Sequence, residues 1–585
     1  MDKRSIVVII LLALLVIFWS PIMISLGLLE PAPQSPTPEQ AIGDTASPDQ
    51  SVTEIPGPQT LPADEQTPAG ILAAIPRKAA DSAAPAQQVD TITVETEKYT
   101  ILLSTFGGGP VSIKLKEYSY PWEGNGPVEM LPGARTAEPK LIFQNGQFDI
   151  TRLHYASEQS GTINVQGSSR TITFTFMRAD GAAIQKIYTF YPDKYSFDLK
   201  IIIPDRRQFS IERHYQLAWQ NGLTATELDE KGDYAASFAM GLLPGESFML
   251  GEDGFFGGDW ENDTTFAREI FDITWLGKRS KYFTAIMIPR SGPGSAAEIS
   301  GKKSRVKEHQ NETIEKKTLS ISITIPITDT DGRLEDNMTF YVGPLDWDRM
   351  KSYDIELEEM FDIGTTPFVG WMIRIFAIPI MWLLPRMYDI IPNYGVIIIL
   401  LGVMVKVVTW PLSRKTVKSM AGMRELQPKI EKLKEKHKKN PQAQQKAMMA
   451  LYKEAGVNPL GGCLPMLPQM PLFIALFRVF NTTILLRGAP FTLWIDDLSR
   501  GALSWTDPYT VLVVIMALLM FFQQKVSMTD PRNKAMVYIM PVVFGFMFHS
   551  FSSGLVLYWT TFSAFSLVEQ YIGNRKRNRE NRQIT

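Results

Sequence analysis

A lysine lies in the middle of one of the most apolar stretches of the chain. From Tyr394 to Leu412, nineteen residues contain one charged side chain, Lys406. Such a run forms roughly 28 Å of α-helix, about the thickness of a bilayer's hydrocarbon core. We therefore predict that 394–412 is a transmembrane helix, the second of the chain. A charged lysine inside it costs roughly 2.5 to 3.5 kcal/mol on insertion scales, so it needs water, a partner or the membrane interface.

The length and the residue usage limit the remaining possibilities. A chain of 585 residues is too long for one hydrophobic core, so several domains are expected. Cys463 is the only cysteine, which excludes an intrachain disulfide and a multi-cysteine metal site. No glycine-rich motif has the spacing of a nucleotide-binding loop. We predict no cofactor and no metal.

The first 89 residues lack the pattern of a packed domain. Three charged or polar residues precede an uncharged run from Ile6 to Leu29, which is longer than the apolar part of a signal peptide. An uncleaved anchor over 1–29 is favoured over a cleaved signal peptide. Residues 30–89 are rich in proline, alanine, glutamine, serine and threonine, and this composition predicts a disordered linker.

Short alternating runs separated by turn residues extend over 90–345. Thr171–Met177 and Ala183–Tyr191 flank Asp180-Gly181, which is typical of a β-hairpin, and Tyr195–Ile203 reads as the next strand. Many short strands at this spacing predict a large β-sandwich domain. Because it follows an anchor whose N-terminus is inside, it is expected outside the cytoplasm.

Two segments flank the Lys406 helix. Within 346–393, the interrupted apolar run Thr366–Ile391 predicts an amphipathic helix in the membrane interface. Residues 413–458 carry twelve Lys or Arg against four Glu and predict a cytoplasmic helical hairpin that turns at Lys438–Pro441. Pro428 is expected to kink or divide its first arm. The basic surface suits either anionic lipid or ribosomal RNA.

The C-terminal part is predicted to contain four more transmembrane helices, in 459–572, and a basic tail, 573–585. Asp507 and Pro508 are expected to start the second of these four helices. The predicted spans are Leu460–Leu486, Pro508–Phe522, Ala535–Phe551 and Leu555–Ile572.

A six-span topology with both termini in the cytoplasm makes every inside loop after Leu412 net basic. It places Lys406 about 9 Å from the cytoplasmic end of its helix. At that depth the lysine either reaches the interface by snorkelling or faces an aqueous cavity among the helices. The two spans joined by Lys525–Lys534 are short, which predicts local membrane thinning.

Polar side chains in the other spans favour a cavity. Each of them would rather meet water or a partner than lipid. The residues concerned are Gln469, Gln523, Thr560, Thr561 and Ser563.

Several long motifs resemble the YidC/Oxa/Alb membrane-protein insertase family, and within it the Gram-negative members. The resemblance covers nearly the whole chain. The motifs are NPLGGCLPMLPQMPLFIALF at Asn458–Phe477, APFTLWIDDLS at Ala489–Ser499, GLVLYW at Gly554–Trp559, WLGKRSKYFTAIMIP at Trp275–Pro289 and FYVGP at Phe340–Pro344.

The resemblance implies a periplasmic β-supersandwich and a five-span core with a hydrophilic groove open to the cytoplasm and lipid. Lys406 would be the groove charge that attracts the polar tail of a nascent protein. The apolar segment of the substrate would slide out along residues that match the family's third, fifth and sixth spans: Met470, Phe473, Met547, Tyr558 and Trp559. The chain departs from the family where many relatives have arginine in place of Lys406, and at Ser552 and Ala564.

The resemblance therefore implies an inner-membrane insertase and chaperone, not an enzyme, that works without nucleotide hydrolysis. Its partners would be nascent membrane proteins, lipids, the Sec translocon and, through 413–458 and 573–585, the ribosome. Two alternatives remain. One is a transporter or channel that uses Lys406 for an anionic solute, although no internal repeat is visible. The other is a carbohydrate-active enzyme on the β-domain, suggested by fold analogy alone.

Overall fold

The computed structural model describes residues 89–122, 126–132, 136–143, 150–211, 213–251, 264–307, 313–328, 331–363, 370–437, 440–456, 466–527 and 534–584. The anchor predicted over 1–29 and the linker predicted over 30–89 lie outside these residues, apart from residue 89.

The N-terminal half of the described chain is built from β-strands. Inward-facing and outward-facing residues alternate along most of them, as in Ala183–Phe190, because successive side chains point to opposite faces of a strand. The strands are β1 Thr91–Glu95, β2 Tyr99–Ser104, β3 Gly109–Ser119, β4 Pro127–Glu129, β5 Lys140–Phe143, β6 Gly161–Asn164, β7 Arg170–Met177, β8 Ala183–Phe190, β9 Ser196–Ile203, β10 His214–Trp219, β11 Phe238–Leu243, β12 Glu246–Leu250, β13 Thr264–Ile273, β14 Trp275–Arg279, β15 Phe283–Pro289, β16 Gly294–Lys307, β17 Thr313–Pro326 and β18 Leu334–Pro344.

These strands form three sheets. One has the order β4-β3-β2-β1-β6, a second β13-β16-β17-β10-β5, and the largest β12-β11-β14-β15-β18-β9-β8-β7. The hairpin predicted around Asp180-Gly181 is present as β7 and β8, with Met177 opposite Ala183, and β9 continues the meander.

The sheets pack on one another around a common apolar core. Trp219 of β10 meets Phe340 of β18 with ring centroids 6.1 Å apart. The buried Lys278 of β14 donates through Nζ to the carbonyl of Leu319 in β17, at 3.2 Å. The sheet that contains β2 and β3 is attached through Lys186 of β8. Its Nζ donates to the carbonyl of Gly107, between β2 and β3, at 2.6 Å. This part of the chain is a layered β-domain, as the strand pattern predicts.

The C-terminal part is helical. The helices among the described residues are α1 Glu230–Ala235, α2 Trp347–Lys351, α3 Gly370–Tyr388, α4 Tyr394–Lys436, α5 Pro441–Glu454, α6 Met466–Thr482, α7 Thr510–Ser527, α8 Lys534–Phe548 and α9 Ser553–Ile584. The last helix, α9, lies against α4 and α7, while α3 lies against α6. Short 3₁₀ helices cover Ile150–Arg152, Arg206–Phe209, Leu357–Phe361 and Ile484–Leu486.

Helix α4 joins two elements that the sequence separates. The predicted span 394–412 and the first arm of the predicted hairpin form one helix of 43 residues, which ends at Lys436. Of the two outcomes expected at Pro428, a kink or a division, the division is wrong, because α4 runs through both Pro411 and Pro428. A proline removes one backbone N–H from the helix, and the turns on either side keep their own hydrogen bonds. Asn440 then caps α5, close to the predicted turn.

Two other predicted helix ends differ from the structure. Helix α7 begins at Thr510 instead of Pro508. Asp507 still caps the turn that leads into α7, because its carboxylate accepts from the backbone N–H of Tyr509 at 3.0 Å. The same carboxylate also accepts from Arg500 and from the backbone N–H of Leu503 in the preceding loop. Helix α9 continues through the predicted tail to Ile584, because no proline or glycine follows Gly573 to stop it.

Among the described helices, one has a stretch long and apolar enough to cross a membrane, Tyr394–Pro411. Thr510–Val526 and Val537–Phe548 are shorter apolar stretches. The helix predicted to lie in the interface is α3, whose exposed face carries Trp371, Ile375 and Trp382.

Candidate functional site

The site begins with the face that α4 turns toward α9. Gly402 and Lys406 are four residues apart, so they lie one above the other on this face. Gly402 permits a close approach of the two helices, since a Cβ built on it would lie 3.2 Å from Cγ2 of Thr561. The Lys406 side chain therefore enters the contact between the helices one turn after Gly402.

Helix α9 meets Lys406 with three side chains on one stripe. Phe562, Ser566 and Glu569 are spaced by four and three residues, which is the spacing of a single helix face. Lys406 Nζ lies 2.9 Å from Glu569 Oε2 and donates to Ser566 Oγ at 2.9 Å. It also lies 4.8 Å from the centroid of the Phe562 ring. An ion pair, a hydroxyl and an aromatic face thus surround the ammonium group.

The position of Lys406 bears on how its charge is accommodated. Its side chain is 13% exposed and that of Glu569 is 19% exposed, so the pair is largely shielded. The amine points to a neighbouring helix rather than along its own helix toward an end. Lys406 is therefore held by a partner of opposite charge, a third arrangement beside snorkelling and a simple aqueous cavity.

Glu569 is the site residue that the sequence analysis missed. It lies inside the predicted last span, Leu555–Ile572, and is the only acidic residue there. The signal was available, because an ionisable residue within a span is expected to have a partner and Lys406 carries the opposite charge. The polar residues predicted from that span are hydroxyl side chains, and its single carboxylate is not among them.

A cavity of about 110 Å³ adjoins this cluster. Three of the predicted groove residues line it: Gln469 of α6, Gln523 of α7 and Ser563 of α9. Phe562 lines the cavity, and its ring also contacts the Lys406 ammonium group, so one side chain joins the cavity to the ion pair. The remaining lining residues are Met520, Gln524 and Trp559.

Two predicted polar residues of α9 bond within their own helix. Thr560 donates to the carbonyl of Val556 at 2.7 Å, and Thr561 donates to that of Leu557 at 2.8 Å. Neither of them lines the cavity. Their hydroxyls are satisfied locally, which is the usual way for a threonine to be accommodated in an apolar helix.

The predicted slide residues fall into an aromatic cluster and its edge. Phe473 meets Trp559 edge to face with ring centroids 5.2 Å apart, and Phe548 lies 5.4 Å from Trp559. Met470 is exposed, and Met547 is partly buried against the same cluster. These four predicted residues come from α6, α8 and α9, and of them Trp559 also lines the cavity.

Tyr558 lies apart from that surface. It is buried, with 3% of its surface exposed, and its ring stacks on Phe562 with centroids 6.3 Å apart. The nearest atoms to a Cβ on Gly402 include Tyr558 Cδ2, which places the ring against α4. Tyr558 thus packs beside the Lys406 cluster and does not present a face to a sliding segment.

A second ion pair joins the helical part to the β-domain. Arg487 Nε lies 2.7 Å from Glu227 Oε1, and both side chains are 9% exposed. Arg487 Nη2 donates to the carbonyls of Ser119 at 2.9 Å and Thr226 at 3.1 Å. The guanidinium carbon lies 5.4 Å from the Phe283 ring centroid. The guanidinium is enclosed by groups of the β-domain.

Burial raises the pKa of the Glu227 carboxyl to about 7, although the charges of Arg487 and Lys281 oppose the change. A further pair, Arg478 with Asp362 at 2.8 Å, links α6 to the segment before α3. The loop that carries Arg487 is therefore fixed to the β-domain by buried contacts.

Comparisons with known proteins cover both halves of the chain. Residues 91–383 match the family described as YidC periplasmic domain, and residues 386–581 match the family described as 60Kd inner membrane protein. The two matches meet near the end of α3 and leave little of the described chain uncovered.

Relatives align over most of their length. "Membrane protein insertase YidC" of Syntrophus aciditrophicus is 31% identical over 89% of this chain and 91% of its own. The protein of the same name from Geobacter metallireducens is 29% identical over 98% of both chains. Among solved structures, "Active YidC insertase crystal structure with the first transmembrane domain resolved" matches with a TM-score of 0.34 and 18% identity, over 83% of this chain and 94% of that one.

Proposed function

The chain belongs to the YidC family of membrane protein insertases, and on that premise we propose that Lys406 draws the polar segment of a nascent protein into a groove among the helices. The protein is an inner-membrane insertase with a periplasmic β-domain. An insertase is not an enzyme, and neither the transporter nor the carbohydrate-active enzyme receives support from the relatives.

One observation supports the groove more than any other. The Phe562 ring contacts the shielded Lys406 and also lines a cavity that three glutamines and a serine line with it. Polar groups at membrane depth are disfavoured unless they serve a polar occupant or one another. The cavity, the Lys406 charge and the amides of Gln469 and Gln523 would lower the cost of moving a polar tail partway across the bilayer. No nucleotide is needed for such a step.

The apolar part of the substrate would leave along the neighbouring aromatic surface. Phe473 packs on Trp559, which lines the cavity, and Met470 and Met547 would extend this surface because methionines adapt to varied side chains. A nascent helix would thus exchange this surface for lipid while its tail remains near the cavity. Crosslinking of nascent chains to Phe473 and Met547 would test this route.

The topology that fits this mechanism has six spans and both termini in the cytoplasm. The basic hairpin would then face the cytoplasm, together with the end of α9. The partners would be nascent membrane proteins and lipids. The Sec translocon and, through 413–458 and 573–585, the ribosome are further candidates on the family resemblance.

Insertion from purified components would test the electrostatic role of Lys406. We expect Lys406→Arg to retain insertion of a substrate with an acidic translocated tail, because the charge remains. Lys406→Glu should reduce it by roughly tenfold or more, because like charges brought together at an interface are strongly disfavoured. Insertion into nucleotide-free vesicles, scored by protease protection of the tail, measures both.

Lys525→Glu is the matched control, since Lys525 is an exposed lysine of α7 that does not line the cavity. Equal yields from the original protein, Lys406→Arg and Lys406→Glu would contradict the proposed role.

A further inference from the structure

Glu569 gives the proposed groove a charge opposite to that of Lys406. The pair means that the ammonium is already neutralised when no substrate is bound. An acidic tail therefore meets a lysine whose best contact is occupied. Ser566 and Glu569 take two of the three donors of the lysine, so an incoming carboxylate can reach the third and then compete with Glu569 for the positive charge.

Among the described residues, the Glu569 carboxylate has fewer polar contacts than the Lys406 ammonium group. Its Oε2 meets Lys406, while its buried Oε1 has no hydrogen-bond partner among the described residues. A buried carboxylate oxygen without a donor is unfavourable, so part of the benefit of the ion pair is lost to this atom. Exchange of Glu569 for another carboxylate would thus meet less resistance than exchange within a fully bonded pair.

The surroundings leave room for such an exchange. The Phe562 ring lies 4.8 Å from Lys406 Nζ and also lines the cavity, so the cavity comes within one uncharged side chain of the ion pair. Ser566 Oγ donates to the carbonyl of Phe562 at 2.8 Å and accepts from Lys406, so it stays in place whichever carboxylate is bound. The lysine retains one fixed contact while its acidic partner changes.

We propose that Glu569 determines the charge selectivity of the groove. It pairs with Lys406 until the acidic tail of a substrate takes the place of Glu569. This inference rests on the proposed function of Lys406. A displaced Glu569 remains near the cavity, where it repels acidic groups and attracts basic ones. While Lys406 and Glu569 are paired, their charges cancel and the groove favours neither acidic nor basic tails. The balance between the two residues sets which tails are accepted.

Paired substrates that differ only in tail charge would test this role. The measured quantity is the ratio of acidic-tail to basic-tail insertion into nucleotide-free vesicles. In Glu569→Gln we expect the ratio to rise about tenfold, which corresponds to about 1.4 kcal/mol. In Lys406→Gln it should fall about tenfold, because Glu569 is left unpaired. In the double variant the ratio should return to near that of the original protein.

Glu158→Gln is the matched control, because it removes an exposed carboxylate of the β-domain far along the chain from this cluster. Opposite changes in the two single variants cannot arise from a general loss of folding, which would lower both insertion yields together. If Glu569→Gln does not fold, Glu569→Asn removes the same charge with a shorter side chain and should raise the ratio in the same direction.

The outcomes separate the two proposals. An unchanged ratio in Glu569→Gln, with a lowered ratio in Lys406→Gln, would overturn the role of Glu569 and leave that of Lys406 intact. Unchanged ratios in both single variants would overturn the role of Lys406 as well. A fall in the ratio in Glu569→Gln would also contradict the inference.

Discussion

Two buried cation–carboxylate pairs in this molecule have similar distances and different surroundings. Arg487 meets Glu227 at 2.7 Å, and Lys406 meets Glu569 at 2.9 Å. Arg487 also binds two backbone carbonyls of the β-domain. Lys406 has a single hydroxyl besides its carboxylate, and a cavity lies beyond the neighbouring ring.

The difference shows how the same chemistry serves two purposes. A guanidinium presents several donors in a rigid fork, so it suits a contact that must stay formed. A lysine is a compact charge on a flexible stem, so it can change partners without breaking a geometric match. We infer that the Arg487 pair fixes the β-domain to the helical part, whereas the Lys406 pair is exchangeable.

Loss of Arg487 should give the largest effect on stability. Arg487→Ala leaves Glu227 buried with its carboxylate unpaired, and breaking a buried pair in this way costs about 4 kcal/mol. We expect a lower melting temperature of the detergent-solubilised protein and faster proteolysis of the loop that carries residue 487.

Arg178→Ala is the control for that variant, because Arg178 pairs with Asp180 on an exposed hairpin. Exposed pairs contribute little, so its melting temperature should change much less. Equal losses in the two variants would mean that the Arg487 contact does not hold the domain in place.

The pH dependence of stability should report Glu227. Its pKa is about 7 in the folded chain, against an ordinary value of 4.5. The unfolded chain therefore loses this proton at lower pH, and raising the pH through the window from about 4.5 to 7 favours unfolding, by as much as about 3 kcal/mol. Melting temperatures should fall across this window.

Glu227→Gln should flatten that part of the profile, since the amide does not titrate. A profile that is unchanged in Glu227→Gln would assign the pH dependence to other groups, such as the buried Asp233, whose pKa burial also raises.

The smallest effect is expected at the approach of α4 to α9. Gly402→Ala adds a Cβ that would lie 3.2 Å from Thr561, and overpacking of this kind costs about 1 kcal/mol. Because Lys406 is one turn away, the shift should weaken its pair with Glu569. Insertion yields should therefore change more than the melting temperature does, and an unaltered yield would show that the pair tolerates a wider helix spacing.

Much of the fold could be predicted from local patterns. The β7–β8 hairpin followed from alternation around Asp180-Gly181, and the layered β-domain from the number of short strands. Helix ends were harder, because they depend on competing contacts. Asp507 caps the turn before α7 as predicted, yet the regular helix begins at Thr510, and Arg500 also binds the Asp507 carboxylate. Proline generally kinks or breaks a helix, yet α4 continues through Pro428.

Prediction of the candidate site is limited in the same way, by contacts between helices that the sequence does not show. Lys406 was evident, since a charge in an apolar run stands out, and the predicted residues Gln469, Gln523 and Ser563 do line one cavity. Their placement together depends on which faces of α6, α7 and α9 meet, and spacing within one helix does not reveal that. The partner of Lys406 lies 163 positions further along the chain, at Glu569, and only the packing of α4 on α9 brings the two together.

Photocrosslinking from defined positions would test the central claim most directly. A photoreactive residue is placed at Gln523 in the cavity or at Leu485 near the Arg487 contact, and a stalled nascent chain with an acidic tail is supplied. The tail should crosslink at position 523, and Lys406→Glu should abolish that crosslink, while position 485 stays at background. A tail that crosslinks at position 485, or a crosslink at position 523 that survives Lys406→Glu, would contradict the claim that Lys406 attracts the tail by exchanging its acidic partner.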